Sequence, residues 1–136
     1  MGYRVLPADA ASWRPSRLLG VENCDLAGQL EAPGLAARLW RLAPGQMNTR
    51  HRHRTQTEVY ILLEGTGRLR VDEEVLTLAS LSAVAVDPES VRQPFNDTDG
   101  DQLWLILGAP TEPFPTAEDM AFMYPDGPKA LPPELA

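Results

Sequence analysis

Histidine, lysine and cysteine are almost missing from this chain, with two, one and one copies among 136 residues. A single cysteine, Cys24, excludes a disulfide framework within the chain, agrees with a reducing compartment and leaves that residue the role of a small buried hydrophobe. Lys129 and eleven arginines face 19 acidic residues, for a net charge of −7 and a pI near 4.7. That balance argues against nucleic acid as a partner, because phosphate-backbone binding draws its affinity from massed cations. No apolar run approaches the ~18 residues of a membrane-spanning helix, and the first residues do not run from a basic segment into an apolar one. No membrane partner is therefore expected, and the expected location is the cytoplasm. There is no G-x-S-x-G, P-loop or C-x-x-C motif and no internal repeat, which removes the usual signatures of serine hydrolases, nucleotide hydrolases and dithiol redox proteins.

What is present reads as one globular domain: 43% hydrophobic and 23% charged residues at a length that suits a single small core. Both histidines sit in one stretch, Gly45 to Gly65 (GQMNTRHRHRTQTEVYILLEG). On extended chain, alternate side chains share a face, so the spacing of His51 and His53 puts two imidazoles side by side. Glu58 would fall on the opposite face of an unbroken strand. A turn within Arg54 to Thr57 brings it back and completes a two-histidine, one-carboxylate set. Taken alone, an H-x-H on an arginine-rich segment is more often the mark of two surface histidines that bind nothing. By the same alternation Arg50, Arg52 and Arg54 face away from the histidines, as a solvated face or an interface.

Short apolar or alternating runs follow one another between turn signals: Leu35 to Leu42, Glu58 to Leu63, Arg68 to Val71, Val75 to Leu78, Ala83 to Val86, Val91 to Phe95 and Gln102 to Leu107. The run Glu58 to Leu63 suits a strand buried on both faces. Repeated short strands without helices between them indicate a sandwich or barrel. Residues 1–34 carry weaker signals, for strands at Tyr3 to Leu6 and Arg17 to Val21 and a turn or short helix near Ala8 to Trp13. After Gly108, seven of the thirteen prolines fall between Pro110 and Pro133. One helix fits there, with Thr116 as N-cap, Asp119 in the capping-box position and Ala117, Met120, Ala121 and Tyr124 on one side, ended by Pro125-Asp126-Gly127-Pro128. The tail beyond it either drapes over the barrel or is loose.

Five residues separate Gly45 from His51, one separates the histidines, four separate His53 from Glu58 and six separate Glu58 from Gly65. This pattern resembles the first signature motif of the cupin superfamily. The resemblance implies an all-β fold, a double-stranded β-helix (jelly-roll) barrel over residues 35–108. Residues 1–34 would be an extension forming strands at the interface of a homodimer, and residues 109–136 a proline-rich segment with one short helix. It also implies one divalent transition metal (Fe, Mn, Ni, Zn or Cu) on His51, His53 and Glu58.

The second cupin motif supplies a third histidine after a P-x-G turn and four residues before an asparagine, and here the chain departs from it. Ser90 stands in the glycine's place; counting back from Asn96 gives Arg92, and counting forward from Pro88 gives Gln93. Gln93 could offer an amide oxygen to the metal, whereas Arg92 would repel a cation and hold an anion. Alternation also aims Tyr60 and Leu62 inward, with Pro94 or Phe95 and one face of Leu103 to Leu107 completing a dry pocket for a small organic ligand. Arg92, Tyr60 and Phe95 are thus candidate ligand contacts, Tyr60 being equally plain core; no residue is singled out as catalytic. What the resemblance implies is a metal-binding small cupin acting as an enzyme on a small organic substrate, of dioxygenase, isomerase or lyase type. The alternative is a non-catalytic small-molecule-binding or regulatory cupin in which Arg92 replaces the metal.

Overall fold

The computed structural model of the protein describes residues 2–113 and 116–136. Among the described residues nine strands form two antiparallel sheets: β1 (Arg14–Pro15), β2 (Glu22–Asp25), β3 (Ala36–Leu42), β4 (Thr57–Glu64), β5 (Gly67–Val71), β6 (Glu74–Leu78), β7 (Ala83–Val86), β8 (Arg92–Phe95) and β9 (Gln102–Ala109). One sheet runs β1-β2-β3-β9-β4-β7 and the other β6-β5-β8, the two faces of a jelly-roll barrel. Two short helices, α1 (Leu26–Gln29) and α2 (Ala117–Met123), lie outside it. Among the described residues no helix is long and apolar enough to cross a membrane.

Alternation decides what each strand buries. In β4, Glu58, Tyr60 and Leu62 are buried, while Val59, Ile61 and Leu63 between them are only partly covered, so the strand has one interior face and not two. Across β9 the buried residues are Gln102, Trp104, Ile106 and Gly108. Val21, Leu42, Tyr60, Leu62, Leu69, Val86, Trp104 and Ile106 meet between the sheets as one core. Trp104 is fully buried there; its indole N–H donates to Gln102 Oε1 at 3.0 Å, and Tyr60 meets it edge to face at 6.2 Å.

The N-terminal expectations need correction. Tyr3 to Leu6 forms no strand; Tyr3 and Val5 stay exposed, and the segment is tied by the Arg4 guanidinium donating to the carbonyls of Leu30 and Glu31. The strand expected at Arg17 to Val21 is a turn closed by Gly20, whose N–H donates to Ser16 O, and pairing begins on either side of it as β1 and β2. Near Ala8 the expected short helix is a single 3-10 turn, Ala8–Ala10. Through β2, which pairs with β3, the extension continues the barrel's own sheet. Cys24 lies on β2, buried and unpaired.

At the other end Thr116 caps α2 by accepting the Asp119 N–H, while its hydroxyl donates to the Asp119 carboxylate. The docked face of α2 differs from the expected one: Ala117, Met120 and Ala121 are exposed, and Asp119, Phe122 and Met123 turn toward the barrel. The arginine row explains this. The Arg52 and Arg54 guanidinium groups sit 4.1 and 4.0 Å from the centre of the Phe122 ring, Arg52 Nε donates to Phe122 O, Arg54 pairs with Asp119, and Arg50 pairs with Asp126. The tail then drapes over the outer face of the three-stranded sheet, where Gln93 donates to Ala130 O and Arg70 pairs with Glu134.

Two glycines bound the histidine segment, and they are needed for different reasons. Gly45 has a φ of +86° with open space where a Cβ would sit; Gly65 has a φ of +89°, and a Cβ there would lie 2.3 Å from Asp101 O. Gly45→Ala is expected to cost only the backbone term, about 1–2 kcal/mol. Gly65→Ala adds a backbone clash worth about 1–3 kcal/mol more. Urea denaturation of the two variants checks this ordering, and equal costs would contradict it.

Candidate metal centre

The segment carrying the histidines is bridged to β8: His51 N–H donates to Arg92 O and Arg92 N–H to His51 O, at 3.0 and 2.8 Å, and His53 N–H donates to Pro88 O at 2.7 Å. His51 and His53 therefore project to the interior side, while Arg52 between them and Arg54 after them go to α2. A bend at Arg54 and Thr55 leads the chain into β4, and Glu58 enters beside the histidines. Donor atoms of His51, His53 and Glu58 all lie within 4.8 Å of one another. The imidazoles stand edge to face, with ring centres 5.0 Å apart.

Glu58 Oε1 is the point of convergence. His51 Nε2 is 3.1 Å from it, Tyr60 hydroxyl donates to it at 2.9 Å, Arg92 Nε is 3.5 Å away and His53 Nε2 3.6 Å. Burial on its own would raise the Glu58 carboxyl, but the hydrogen bonds from His51 and His53, with the charges of His51 and Arg92, outweigh it and hold the group well below the usual carboxylate range. Burial, and then the Glu58 charge, push the Tyr60 hydroxyl well above its ordinary value, so it stays a donor.

The donor set fits a cation. His51 Nδ1 lies 3.2 Å from Thr49 O; a proton held there leaves Nε2 as the ring's ligating atom. An ion on Nε2 and Glu58 Oε1 would take the place of the hydrogen bond that joins them at 3.1 Å. The set of two imidazoles and one carboxylate is that of divalent transition metals.

Of the two residues that could stand in the missing histidine's place, Arg92 faces this cluster. It is fully buried, and its terminal nitrogens donate to the carbonyls of Val86, Asp87 and Pro88. Gln93 points the other way, which corrects the expectation that it might ligate: strand alternation turns it outward, and its amide nitrogen donates to Asn48 O and Ala130 O. Phe95 shares the Gln93 face, under the Arg68 guanidinium, so it too is not a wall of the expected pocket. Tyr60 and Leu62 are packed core. A cavity of about 440 Å³ opens instead at the seam where the β5–β6 turn faces β7, with Val71, Leu76 and Val84 against Asp72, Glu73 and Glu74. None of His51, His53, Glu58 and Arg92 lines it; Val71 and Val84 are only the strand partners of Arg92 and Tyr60.

Glu112, which the sequence reading missed, lies behind the histidines. Its carboxylate accepts the backbone N–H groups of Arg54, Thr55 and Gln56 at 3.0, 2.5 and 3.0 Å and the Thr55 hydroxyl at 2.9 Å. Burial raises this group, but those donors prevail and bring it down to about 2. No motif spacing pointed to it, because it follows the last strand in the proline-rich segment.

Residues 38–108 match the model of the cupin domain. A search of curated proteins found no match. Among solved structures, the chain is similar to a sugar phosphate isomerase of the cupin superfamily from Silicibacter pomeroyi, at 22% identity and a TM-score of 0.72 over 79% of this chain and 76% of that one. It also resembles a predicted oxalate decarboxylase from Thermotoga maritima (16% identity, TM-score 0.70, 79% and 100% covered) and KdgF from a Halomonas species (16%, 0.69, 80% and 94%). These likenesses concern the fold. With more than half of its length on the family model and a jelly-roll barrel carrying the first-motif residues, the chain belongs to the cupin family.

Proposed function

We propose that His51, His53 and Glu58 bind one divalent transition metal and that the protein is an enzyme acting on a small organic substrate. The observation that carries this reading is the convergence of three donor side chains, two of them imidazoles, on one buried point. Fe, Mn, Ni, Zn and Cu all suit such a set, and intrinsic affinity does not select among them. A bound ion of this kind supplies Lewis-acid or oxygen-activating chemistry. The isomerase and decarboxylase names of the structural neighbours accord with an oxygen-bearing substrate.

The chain's own residues set the terms. Glu58 brings a full negative charge, and the Tyr60 hydroxyl orients it. Arg92 takes part of that charge and opposes a cation by Coulomb repulsion. Its terminal nitrogens are spent on three carbonyls, and its Nε faces Glu58 at 3.5 Å without a hydrogen bond, so what it offers the cluster is charge. The seam cavity falls within the ~300–1,000 Å³ range of small-molecule sites. Its acidic rim favours neutral or cationic ligands over anions. A second reading, a metal-free binding cupin, is favoured by the same Arg92, which already supplies Glu58 with a positive partner.

Stoichiometric Zn²⁺ or Mn²⁺ uptake by untagged protein, lost in a His51→Ala, His53→Ala double variant, is the expected result; uptake that the double variant leaves unchanged would remove the metal site.

Arg92→His is expected to tighten metal binding by about tenfold or more, ~1.4 kcal/mol, by adding an imidazole and removing a cation. Gln93→His is expected to gain less, since that position faces Asn48 and Ala130. Calorimetric titration of both variants checks the ordering, and a gain confined to Gln93→His would show that the wrong residue has been assigned to the site.

We also propose that two copies associate through the N-terminal extension, where Tyr3, Val5, Trp13 and Leu18 are exposed. Light scattering at micromolar concentration should give twice the 14.9 kDa chain mass, and a value near the chain mass would contradict it.

A further inference from the structure

The two histidines are supported unequally. His51 Nδ1 has the Thr49 carbonyl at 3.2 Å, whereas His53 Nδ1 is buried without a hydrogen bond inside a side chain that is 9% exposed. What that atom faces is Glu112 Oε2, at 3.5 Å. The carboxylate cannot drift away, since three consecutive backbone N–H groups and one hydroxyl hold it. Those donors belong to the bend between His53 and Glu58, so one side chain holds both that bend and the ring it faces. Glu112 lies beyond the stretch 38–108 that matches the family model, so the family pattern does not supply it.

We infer that Glu112 is the positioning residue of the centre: it keeps a proton on His53 Nδ1 and so leaves Nε2, the nitrogen that faces Glu58, as the one that would take an ion. This rests on the metal reading above only for its effect on affinity; the effect on the imidazole exists in the metal-free protein. A carboxylate behind a ligating imidazole fixes the ring's tautomer and orientation, and removing such a partner costs about 10- to 100-fold in metal affinity.

Glu112→Gln separates positioning from simple support. The amide oxygen can take the place of Oε1, which accepts from Thr55 N–H, Thr55 hydroxyl and Gln56 N–H, so most of the bend's bonds survive. The amide nitrogen then replaces Oε2 and presents N–H to His53 Nδ1, which favours a proton on Nε2 and removes the donor lone pair.

The experiment measures Co²⁺ affinity by titration and His53 ring protonation by long-range nitrogen–proton NMR in metal-free protein, for wild type and Glu112→Gln. Expected are a proton on Nδ1 in wild type, its transfer to Nε2 in the variant, and a 10- to 100-fold weaker Co²⁺ affinity. Unchanged ring protonation and affinity in a folded variant would overturn the inference. Should the variant not fold, the wild-type spectrum still decides: a proton on Nε2 alone overturns the inference and one on Nδ1 supports it. Wild type that takes up no Co²⁺ would sink the metal reading and leave the ring protonation to judge Glu112.

Discussion

One oxygen of one buried carboxylate organises this end of the barrel. Glu58 Oε1 collects two imidazoles, a phenol and a guanidinium within 3.6 Å. A buried anion is tolerable only when paired and hydrogen-bonded, so each of those groups is constrained by the carboxylate as much as it stabilises it. The partners come from three separate places in the chain: the bridge segment before β4, β4 itself and β8. Holding them together fixes how the two sheets meet, because β4 lies in one and β8 in the other.

That constraint explains why Arg92 is informative. A guanidinium normally stays in water, yet this one is fully buried, with three carbonyls and Glu58 around it. The carbonyls of Val86, Asp87 and Pro88 satisfy its terminal nitrogens, and its Nε faces Glu58 without a hydrogen bond. Arg92 is thus a built component of the interior, and any ion that joins His51, His53 and Glu58 must coexist with its charge.

Much of the barrel was legible in the sequence because alternation and turn residues act over a few positions. Strands β3 to β9 fall where apolar runs and glycine or proline breaks put them, within about two residues at their ends. His51, His53 and Glu58 were legible for the same reason. The choice between Arg92 and Gln93 was not, since Pro88 and Asn96 give conflicting counts and the register is set by long-range pairing with β5, Met47 and His51. Strands of two and four residues, β1 and β2, leave too little pattern to read. The docking of α2 needed knowledge of where the arginines would meet it, and Glu112 acts across more than fifty residues of chain.

The alternation Arg50-His51-Arg52-His53-Arg54 has a bearing on how the protein finds its fold. Sliding this segment by one residue would exchange two imidazoles for guanidinium groups in a site that already holds Arg92, and would strip Phe122, Asp119 and Asp126 of their cations. Burying unpaired charge costs several kcal/mol per ion. The misregistered state is therefore penalised on both faces at once, so the segment carries its own proofreading: the residues that make the site also make every neighbouring register untenable.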